Sequence, residues 1–381
     1  MKPKPRSKKS AKSVWPTTTI AVLLLVIVVL GSVALYYSPV LDELRPRSFT
    51  PDQIYAMSSQ AVVTIQGVVQ DLTLSTYPNG TLNPVLGTGF VITYGGSYYI
   101  VTNYHVIQGL LYSTVTFSNG DSYPAKVLGS DPYSDIAVVS VNATPSEYHP
   151  LQLGPSSGLK VGETVVAIGN PYGLSNTVTV GVVSQVGRAL QTDTLGGFAI
   201  PDTVQFSAAV NPGNSGGPVI APDDTVVGIT SASVSNSEGL GFAIPSDTIT
   251  RELPSLIKTG KYLKHPYLGL GLIDMTYQLS QAMGTNVTYG VLVESIVPGG
   301  PASVSGLRAG TQNATIQQQE YLVGGDIIVS INGYKITNYD SFSAYLEEHA
   351  VAGQTIQLGI IRNGQYIVIS VLLGSRPPLS A

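Results

Sequence analysis

Three short segments carry side chains capable of nucleophilic chemistry. His105 lies in Thr102-Asn103-Tyr104-His105-Val106, Asp135 in Ser134-Asp135-Ile136-Ala137, and Ser215 in Asn211-Pro212-Gly213-Asn214-Ser215-Gly216-Gly217-Pro218. A serine hydroxyl is a poor nucleophile at neutral pH. It needs a base to take its proton and a buried carboxylate to hold that imidazole and stabilise its cation. His105 is a candidate base and Asp135 a candidate orienting carboxylate. Acyl transfer also needs donors aimed at the developing oxyanion. The backbone N–H groups of Gly213 and Ser215 can serve, because a residue without a Cβ adopts geometries that strain others. Taken singly, the segments read as a structural histidine, a turn aspartate and a Gly-rich loop. Their joint occurrence in the order His, Asp, Ser points to chemistry.

The elements that must position these residues are short strands. Ala61–Gln66, Gly89–Thr93, Tyr98–Thr102, Thr164–Ile168, Thr177–Val186 and Val226–Thr230 are β-rich runs separated by Gly, Pro, Asn and Ser. Regular short strands without intervening amphipathic helices predict an all-β barrel or sandwich rather than a βαβ sheet. Thr50-Pro51-Asp52 reads as a helix start. Ile249, Leu253, Leu256 and Ile257 have the spacing of a closing helix over 246–258, and Thr259-Gly260-Lys261 reads as its stop. A second unit from Tyr267 to Leu373 mixes strands at 290–294, 326–332, 355–362 and 365–372 with a helical stretch at 341–348.

On these motifs the chain resembles the HtrA (Deg) family of trypsin-like serine proteases from about residue 51 to 375. Gly87-Thr88-Gly89-Phe90, Ile168-Gly169-Asn170-Pro171 and Gly239-Leu240-Gly241-Phe242-Ala243-Ile244-Pro245 extend the match, and the octapeptide around Ser215 is its most specific part. The resemblance implies a mostly β, two-barrel chymotrypsin-like domain over 51–262. Its triad of His105, Asp135 and Ser215 would lie between the barrels, with an oxyanion hole at Gly213 and Ser215. It also implies that Ala209, Leu240, Gly241 and Phe242 set specificity. Ala209 stands six positions before Ser215 and carries no charge, so a basic substrate side chain would be left unpaired in a buried pocket. Small or medium aliphatic side chains are expected there. One departure is Ser207, where the family usually has Asp; it bears on local packing or pocket detail.

Tyr267-Leu268-Gly269-Leu270, with Gly325-Asp326-Ile327-Ile328 and Val329-Ser330-Ile331-Asn332-Gly333, resembles the PDZ domain of the same family. The expected boundaries are 267–375, and residues 267–270 would hold a peptide carboxylate. Consecutive N–H groups form a nest for such a group, and an open strand edge pairs with the peptide backbone. Thr311–Val323 is inserted where the family runs directly into Gly-Asp, and reads as a long functional or mobile loop.

Compartment is read from the N-terminus. Residues 1–19 carry Lys2, Lys4, Arg6, Lys8, Lys9 and Lys12, ahead of an apolar run from Ile20 to Tyr37 and a tether over 38–50. Eighteen helical residues span about 27 Å, close to a bilayer core, and the basic flank stays inside. A single-pass anchor with an extracytoplasmic body is expected. The alternative is a cleaved signal peptide ending near Ala34. Sequons at Asn79, Asn142, Asn286 and Asn313 agree with an extracytoplasmic body.

Composition narrows the rest. The 381 residues hold 11% charged residues and a net charge of −4, so there is no basic face for nucleic acid. Cysteine is absent, which removes disulfides, thiolate metal sites and a Cys nucleophile. The four histidines, 105, 149, 265 and 349, form no ligand-spaced pair, and neither metal nor cofactor is expected. Expected partners are unfolded protein or peptide substrates and a membrane. The resemblance adds a homo-oligomer, trimers being usual in the family. Two rivals remain: a catalytically weak PDZ scaffold or chaperone, and an α/β-hydrolase built on Gly213-x-Ser215-x-Gly217. The latter needs an acid and then a histidine after the serine, and only His265 and His349 follow, both in the linker or second unit.

Overall fold

The computed structural model describes residues 21–22, 25–30, 32, 48–71, 81–170, 176–191, 199–233 and 239–379. The chain divides into a unit over Met1–Ser48 and one over Phe49–Ala381. In the first, every described position from 21 to 32 is helical. Among the described residues no helix is long and apolar enough to cross a membrane. The rest of the expected Ile20–Tyr37 span lies outside them.

The second unit opens with helix α1 (Pro51–Ser58), where Gln53 accepts from the Thr50 N–H at 3.0 Å. Strands β1 (Val62–Asp71), β2 (Thr81–Tyr94), β3 (Ser97–Thr102), β4 (Leu110–Thr116), β5 (Ser122–Asp131) and β6 (Ile136–Val141) close a barrel in the order β1-β2-β3-β6-β5-β4. The short helix α2 (Tyr104–Ile107) follows β3. After β7 (Gln152–Leu153) come β8 (Thr164–Gly169), β9 (Thr177–Gln191), β10 (Ala199–Phe206), β11 (Pro218–Ile220), β12 (Thr225–Ser233) and β13 (Gly241–Pro245). They run β11-β8-β9-β10-β13-β12-β7, and the β11–β12 pairing brings the ends of a six-strand path together with β7 outside it.

Alternation explains why these strands read as nearly continuous apolar runs. Val91, Ile100, Ala137 and Val139 point into the first barrel, while Phe90, Val101, Ile136 and Val138 face a separate core. Val165 and Ala167 fill the second barrel, while Val166 and Ile168 join that same shared core. These stretches of β2, β3, β6 and β8 are buried on both faces because one face lines a barrel and the other lines the interface between barrels. Helix α3 (Ser246–Thr259) adds Ile249, Leu253 and Leu256 to the shared core and ends at Gly260.

Strands β14 (Pro266–Tyr267), β15 (Leu270–Asp274) and β16 (Val291–Ile296) follow, with α4 (Tyr277–Ala282) between the last two, then α5 (Pro301–Val304). Residues 311–323, expected as a loop, form a hairpin of β17 (Gln312–Ile316) and β18 (Gln319–Val323). Its two-residue turn, Gln317–Gln318, has φ of 51° and 68°, the handedness that suits tight hairpins. The turn lacks the usual Asn or Gly, so the sequence hid it. Strands β19 (Ile327–Ile331), β20 (Tyr334–Lys335), β21 (Thr355–Arg362), β22 (Gln365–Leu372) and β23 (Gly374–Ser375), with helix α6 (Tyr339–His349), complete the chain. The sheet runs β15-β16-β19-β21-β22, which leaves β15 on an edge.

Candidate active site

His105 enters from α2, one turn after β3, and Asp135 from the tight loop between β5 and β6. The imidazole Nδ1 lies 2.8 Å from Asp135 Oδ2 and 3.0 Å from Oδ1. The His105 backbone N–H also donates to Oδ1 at 2.9 Å, so one carboxylate fixes both main chain and ring. Asp135 adopts φ of 54°, a left-handed conformation that aspartate tolerates better than bulky residues. Asn103 holds it there by donating Nδ2–H to the Asp135 carbonyl at 2.9 Å. Burial alone would lower the His105 pKa; hydrogen bonding and charge from Asp135 outweigh it and raise the group above its ordinary value.

Ser215 follows the Asn211–Asn214 turn. Gly216 has φ of 89°, and a Cβ there would lie 1.9 Å from the Thr88 carbonyl, so no larger residue fits behind the serine. Thr88 ties the two barrels at this point. Its N–H donates to the Ser215 carbonyl at 2.8 Å, its hydroxyl donates to the Gly213 carbonyl at 2.5 Å, and it accepts the Asn170 N–H at 3.0 Å. Thr88 and Asn170, from two of the quoted motifs, thus buttress the serine loop. Among the described residues the N–H groups of Gly213 and Ser215 have no hydrogen-bond acceptor. Two free amides beside a nucleophile are what a developing oxyanion requires.

Of the three expected residues, His105 and Asp135 are joined directly, and Ser215 is not. Among the described residues the Ser215 hydroxyl has a single partner, the Ser231 carbonyl at 2.8 Å, and makes no hydrogen bond to His105. Ser231, which sequence reasoning passed over, also donates its own hydroxyl to Asp135 Oδ2 at 2.7 Å. This one residue therefore touches both ends of the constellation. It sits in an unremarkable apolar strand, and no local pattern marked it.

Of the specificity candidates, Ala209 is exposed on the loop after β10, and Thr179 donates to its carbonyl at 3.0 Å. Gly241 pairs with Phe206 at the start of β13, and its missing Cβ leaves room for the Phe206 ring and Val210. Phe242 is buried and Leu240 half-buried. The Ser207 departure is absorbed locally, its hydroxyl accepting the Val182 N–H at 3.0 Å. A cavity of about 640 Å³ lies away from Ser215, at the seam with α6, and includes Arg188, Asp202, Arg251 and Glu348 in its lining.

In the C-terminal part, Gly269 has φ of 74° and Leu268 is buried. The Leu268 and Gly269 carbonyls accept from Ala302 and Val297 at 2.9 Å, while their N–H groups have no backbone partner among the described residues. Tyr267 pairs with Gly374, and Leu270 opens the edge strand β15. Asn142, Asn286 and Asn313 are exposed; Asn79 lies outside the described residues.

One cluster was unforeseen. Asp131, Glu252 and His265 are buried with candidate ligand atoms within 4.8 Å of one another. The imidazole has both nitrogens engaged, Nε2 with Asp131 at 2.5 Å and Nδ1 with Glu347 at 3.3 Å. Arg251 meets Glu347 at 2.6 Å, and Ser134 donates to Glu252 at 2.6 Å. Hydrogen bonds and ion pairs thus occupy the His265 ring, leaving it no lone pair for a cation, and the cluster reads as an ion-pair network.

Comparison with known proteins agrees with this arrangement. A model of the trypsin-like peptidase domain matches residues 87–229, and one of the PDZ domain matches 266–373. The chain is 38% identical over 294 residues to Protease Do-like 1, chloroplastic, of Arabidopsis thaliana, covering 76% of this chain and 64% of that one. It is 32% identical over 297 residues to the putative serine protease HhoA of Synechocystis, covering 75% and 69%. The match to a probable periplasmic DegP-like endoprotease of Chlamydia pneumoniae covers 56% of that protein, so the chain spans about half to two thirds of such relatives. Among solved structures, the HtrA-type protease AlgW with tripeptide superposes with a TM-score of 0.66 at 28% identity, over 86% of this chain and 98% of that one. With a catalytic-type constellation between two barrels and a PDZ domain behind it, the chain belongs to the HtrA family of trypsin-like serine proteases.

Proposed function

We propose that this protein is a serine endopeptidase that cleaves unfolded or damaged proteins outside the cytoplasm. The observation that carries the reading is the His105–Asp135 pair beside Ser215, with amides at Gly213 and Ser215 that are unpartnered among the described residues. Nδ1–H donates to Asp135, which leaves the Nε2 lone pair as the base. The Ser215 hydroxyl swings from the Ser231 carbonyl to Nε2, gives up its proton and forms a bond to the substrate carbonyl carbon. The carbonyl oxygen becomes an oxyanion held by the two amides. His105 then protonates the departing amine, and a water repeats the sequence to free the enzyme. Asp135 steadies the imidazolium.

Ala209, Leu240, Gly241 and Phe242 favour cleavage after small or medium aliphatic residues. The second domain recruits substrates by a free C-terminus, whose carboxylate meets the N–H groups of residues 268–270 while the peptide extends β15. The structures of AlgW with a tripeptide and with a decapeptide are in keeping with peptide binding by this fold. Residues 20–37 anchor the chain with its body outside; glycan at Asn142, Asn286 or Asn313 would support that orientation.

One observation favours the scaffold reading: the Ser215 hydroxyl rests on Ser231 instead of His105. Incubation with unfolded casein separates the two. Degradation that disappears in Ser215→Ala supports the protease. Binding without cleavage by the unmodified chain supports the scaffold.

A further inference from the structure

The inserted hairpin does not hang free. Ala314, Ile316, Tyr321 and Val323 pack with Met275, Leu279 and Leu292, and the Leu322 N–H donates to Glu294 at 3.2 Å. This packing sets the hairpin against β16 and α4, on the face that also holds Ile273 of β15, the edge strand that follows residues 267–269 directly. Along β15, Leu270 and Leu272 face the α6 side of the sheet, and Ile273 faces the hairpin side. A cavity of about 460 Å³ opens where that edge ends, between Tyr339 of α6, Ile273 and Asp274 of β15, and Ile316, Gln317 and Tyr321 of the hairpin. Its lining contains the Asp274 carboxylate and neither lysine nor arginine.

Register places the occupant. An antiparallel peptide whose last residue lies against Leu270 advances about 3.4 Å per residue along β15. Residues three and four positions before the terminus then reach Ile273 and Asp274, and the next enters the cavity. Successive side chains alternate between Tyr339 on one wall and Tyr321 on the other. Asp274 Oδ1 accepts the Tyr339 N–H at 2.5 Å. Burial and the nearby Asp340 both disfavour its charge and raise its pKa, against that hydrogen bond. Asp340 itself is engaged by Arg188 at 2.8 Å, so the charge open to a visitor is that of Asp274. A cation there relieves the repulsion, and a planar guanidinium also stacks on tyrosine rings.

We propose that the hairpin Gln312–Val323 and Asp274 build an upstream subsite that selects a basic side chain, arginine above lysine, three to five residues before the C-terminus of a bound peptide. This rests on the reading of the second domain as a C-terminus binder. It extends that reading to a surface that the inserted segment creates.

Fluorescence anisotropy with the full chain carrying Ser215→Ala, to prevent cleavage, tests both levels. The probes are eight-residue peptides ending in valine with Arg, Gln or Glu four residues before the terminus, each as free acid and amide, and a four-residue control. Free acids should outbind amides, and Arg should outbind Gln by roughly fivefold and Glu by more. Asp274→Asn keeps an acceptor for Tyr339 and should abolish the Arg preference. Tyr321→Ala should weaken the long peptides and leave the four-residue control unchanged. Equal binding of acids and amides overturns the C-terminus reading itself. Acid selectivity with indifference to Arg, Gln or Glu, or an Arg preference that survives Asp274→Asn, overturns the subsite alone.

Discussion

Two histidine–aspartate pairs stand at the two ends of one short loop. Asp135 meets His105 at 2.8 Å and Asp131 meets His265 at 2.5 Å, four positions apart in the chain. The ring of His105 is 36% exposed and, among the described residues, only its Nδ1 is engaged; that of His265 is 2% exposed and both nitrogens are engaged. In each, burial lowers the imidazole pKa and carboxylates raise it. At His105 the balance is a rise from one carboxylate. At His265 two carboxylates push it up to about 10, while Glu347 is drawn down to about 2 against its own burial, chiefly by His265. The same pair of side chains therefore can serve as a base when one ring nitrogen stays free, the role proposed for His105, and forms a charged strut when neither does. The strut joins the loop that carries Asp135 to α6 of the second domain.

The sharpest way to break the comparison is to delete each imidazole. His105→Ala should lower kcat/KM by about 10⁴ or more, as loss of a triad base does, with an unchanged melting temperature. His265→Ala should do the reverse. It leaves Asp131 and Glu347 buried without their shared cation, at a cost of about 3–5 kcal/mol. Peptide hydrolysis and thermal melts on both variants decide it. A loss of activity in folded His265→Ala as large as in His105→Ala would merge the two pairs into one machine.

pH separates them without mutation. His265 is raised in the fold from its ordinary 6.5, so its contribution is fully present below about 6.5 and is lost as pH rises through about 10. Glu347 is lowered, so its contribution is present above about 4.5 and is lost as pH falls through about 2. Burial raises Glu252, whose contribution is also lost as pH rises, so stability from this network should be greatest near pH 4.5 and decline on the alkaline side. His105 moves the other observable. It must be neutral to act, so activity should rise with pH through a value above 6.5. A melting curve flat from pH 7 to 10, both in the native chain and in His265→Ala, would remove the strut.

The contrast also marks what the sequence could disclose. His105, Asp135 and Ser215 were legible because nucleophilic chemistry restricts residue types and surrounds them with special backbone, such as the glycine that must lie against Thr88. Strands were legible through alternation, even where both faces are buried. His265, Asp131, Glu252 and Glu347 lie up to 216 residues apart and meet only by tertiary packing, so no spacing announced them. Ser231 was hidden for the same reason. The Gln312–Val323 hairpin was hidden by its turn, where glutamines adopt a conformation usually given to asparagine or glycine. Half of the expected Ile20–Tyr37 anchor lies outside the described residues, and its role rests on charge and length alone.

Ser231 offers a smaller, more selective perturbation of the catalytic-type pair. Ser231→Ala removes a donor to the Asp135 carboxylate at 2.7 Å but keeps the carbonyl that accepts from Ser215. That bond also orients the carboxylate against the imidazole, so its loss should misalign the pair and lower kcat by roughly tenfold at most, with KM little changed. With fewer donors, the carboxylate holds the imidazolium more tightly, so the acid limb of the pH profile should move upward. A change in KM alone would assign Ser231 to substrate binding.

The smallest effect is expected where a charged pair joins the same two domains at the surface. Arg188 Nη1 lies 2.8 Å from Asp340 Oδ2, with side chains 43% and 24% exposed. The second oxygen of Asp340 accepts the Ala189 N–H at 2.9 Å, which an amide oxygen can also do. Asp340→Asn therefore removes charge while keeping that hydrogen bond and the start of α6. Solvent and salt screen such a pair, and exposed ion pairs contribute about 0–1 kcal/mol. The melting temperature should drop by a few degrees at most, and the drop should vanish in high salt, whereas the His265→Ala loss should persist because its groups are out of reach of counterions. A salt-insensitive destabilisation of several kcal/mol in Asp340→Asn would show that this exposed pair, and not the buried histidine, is the strut between the domains.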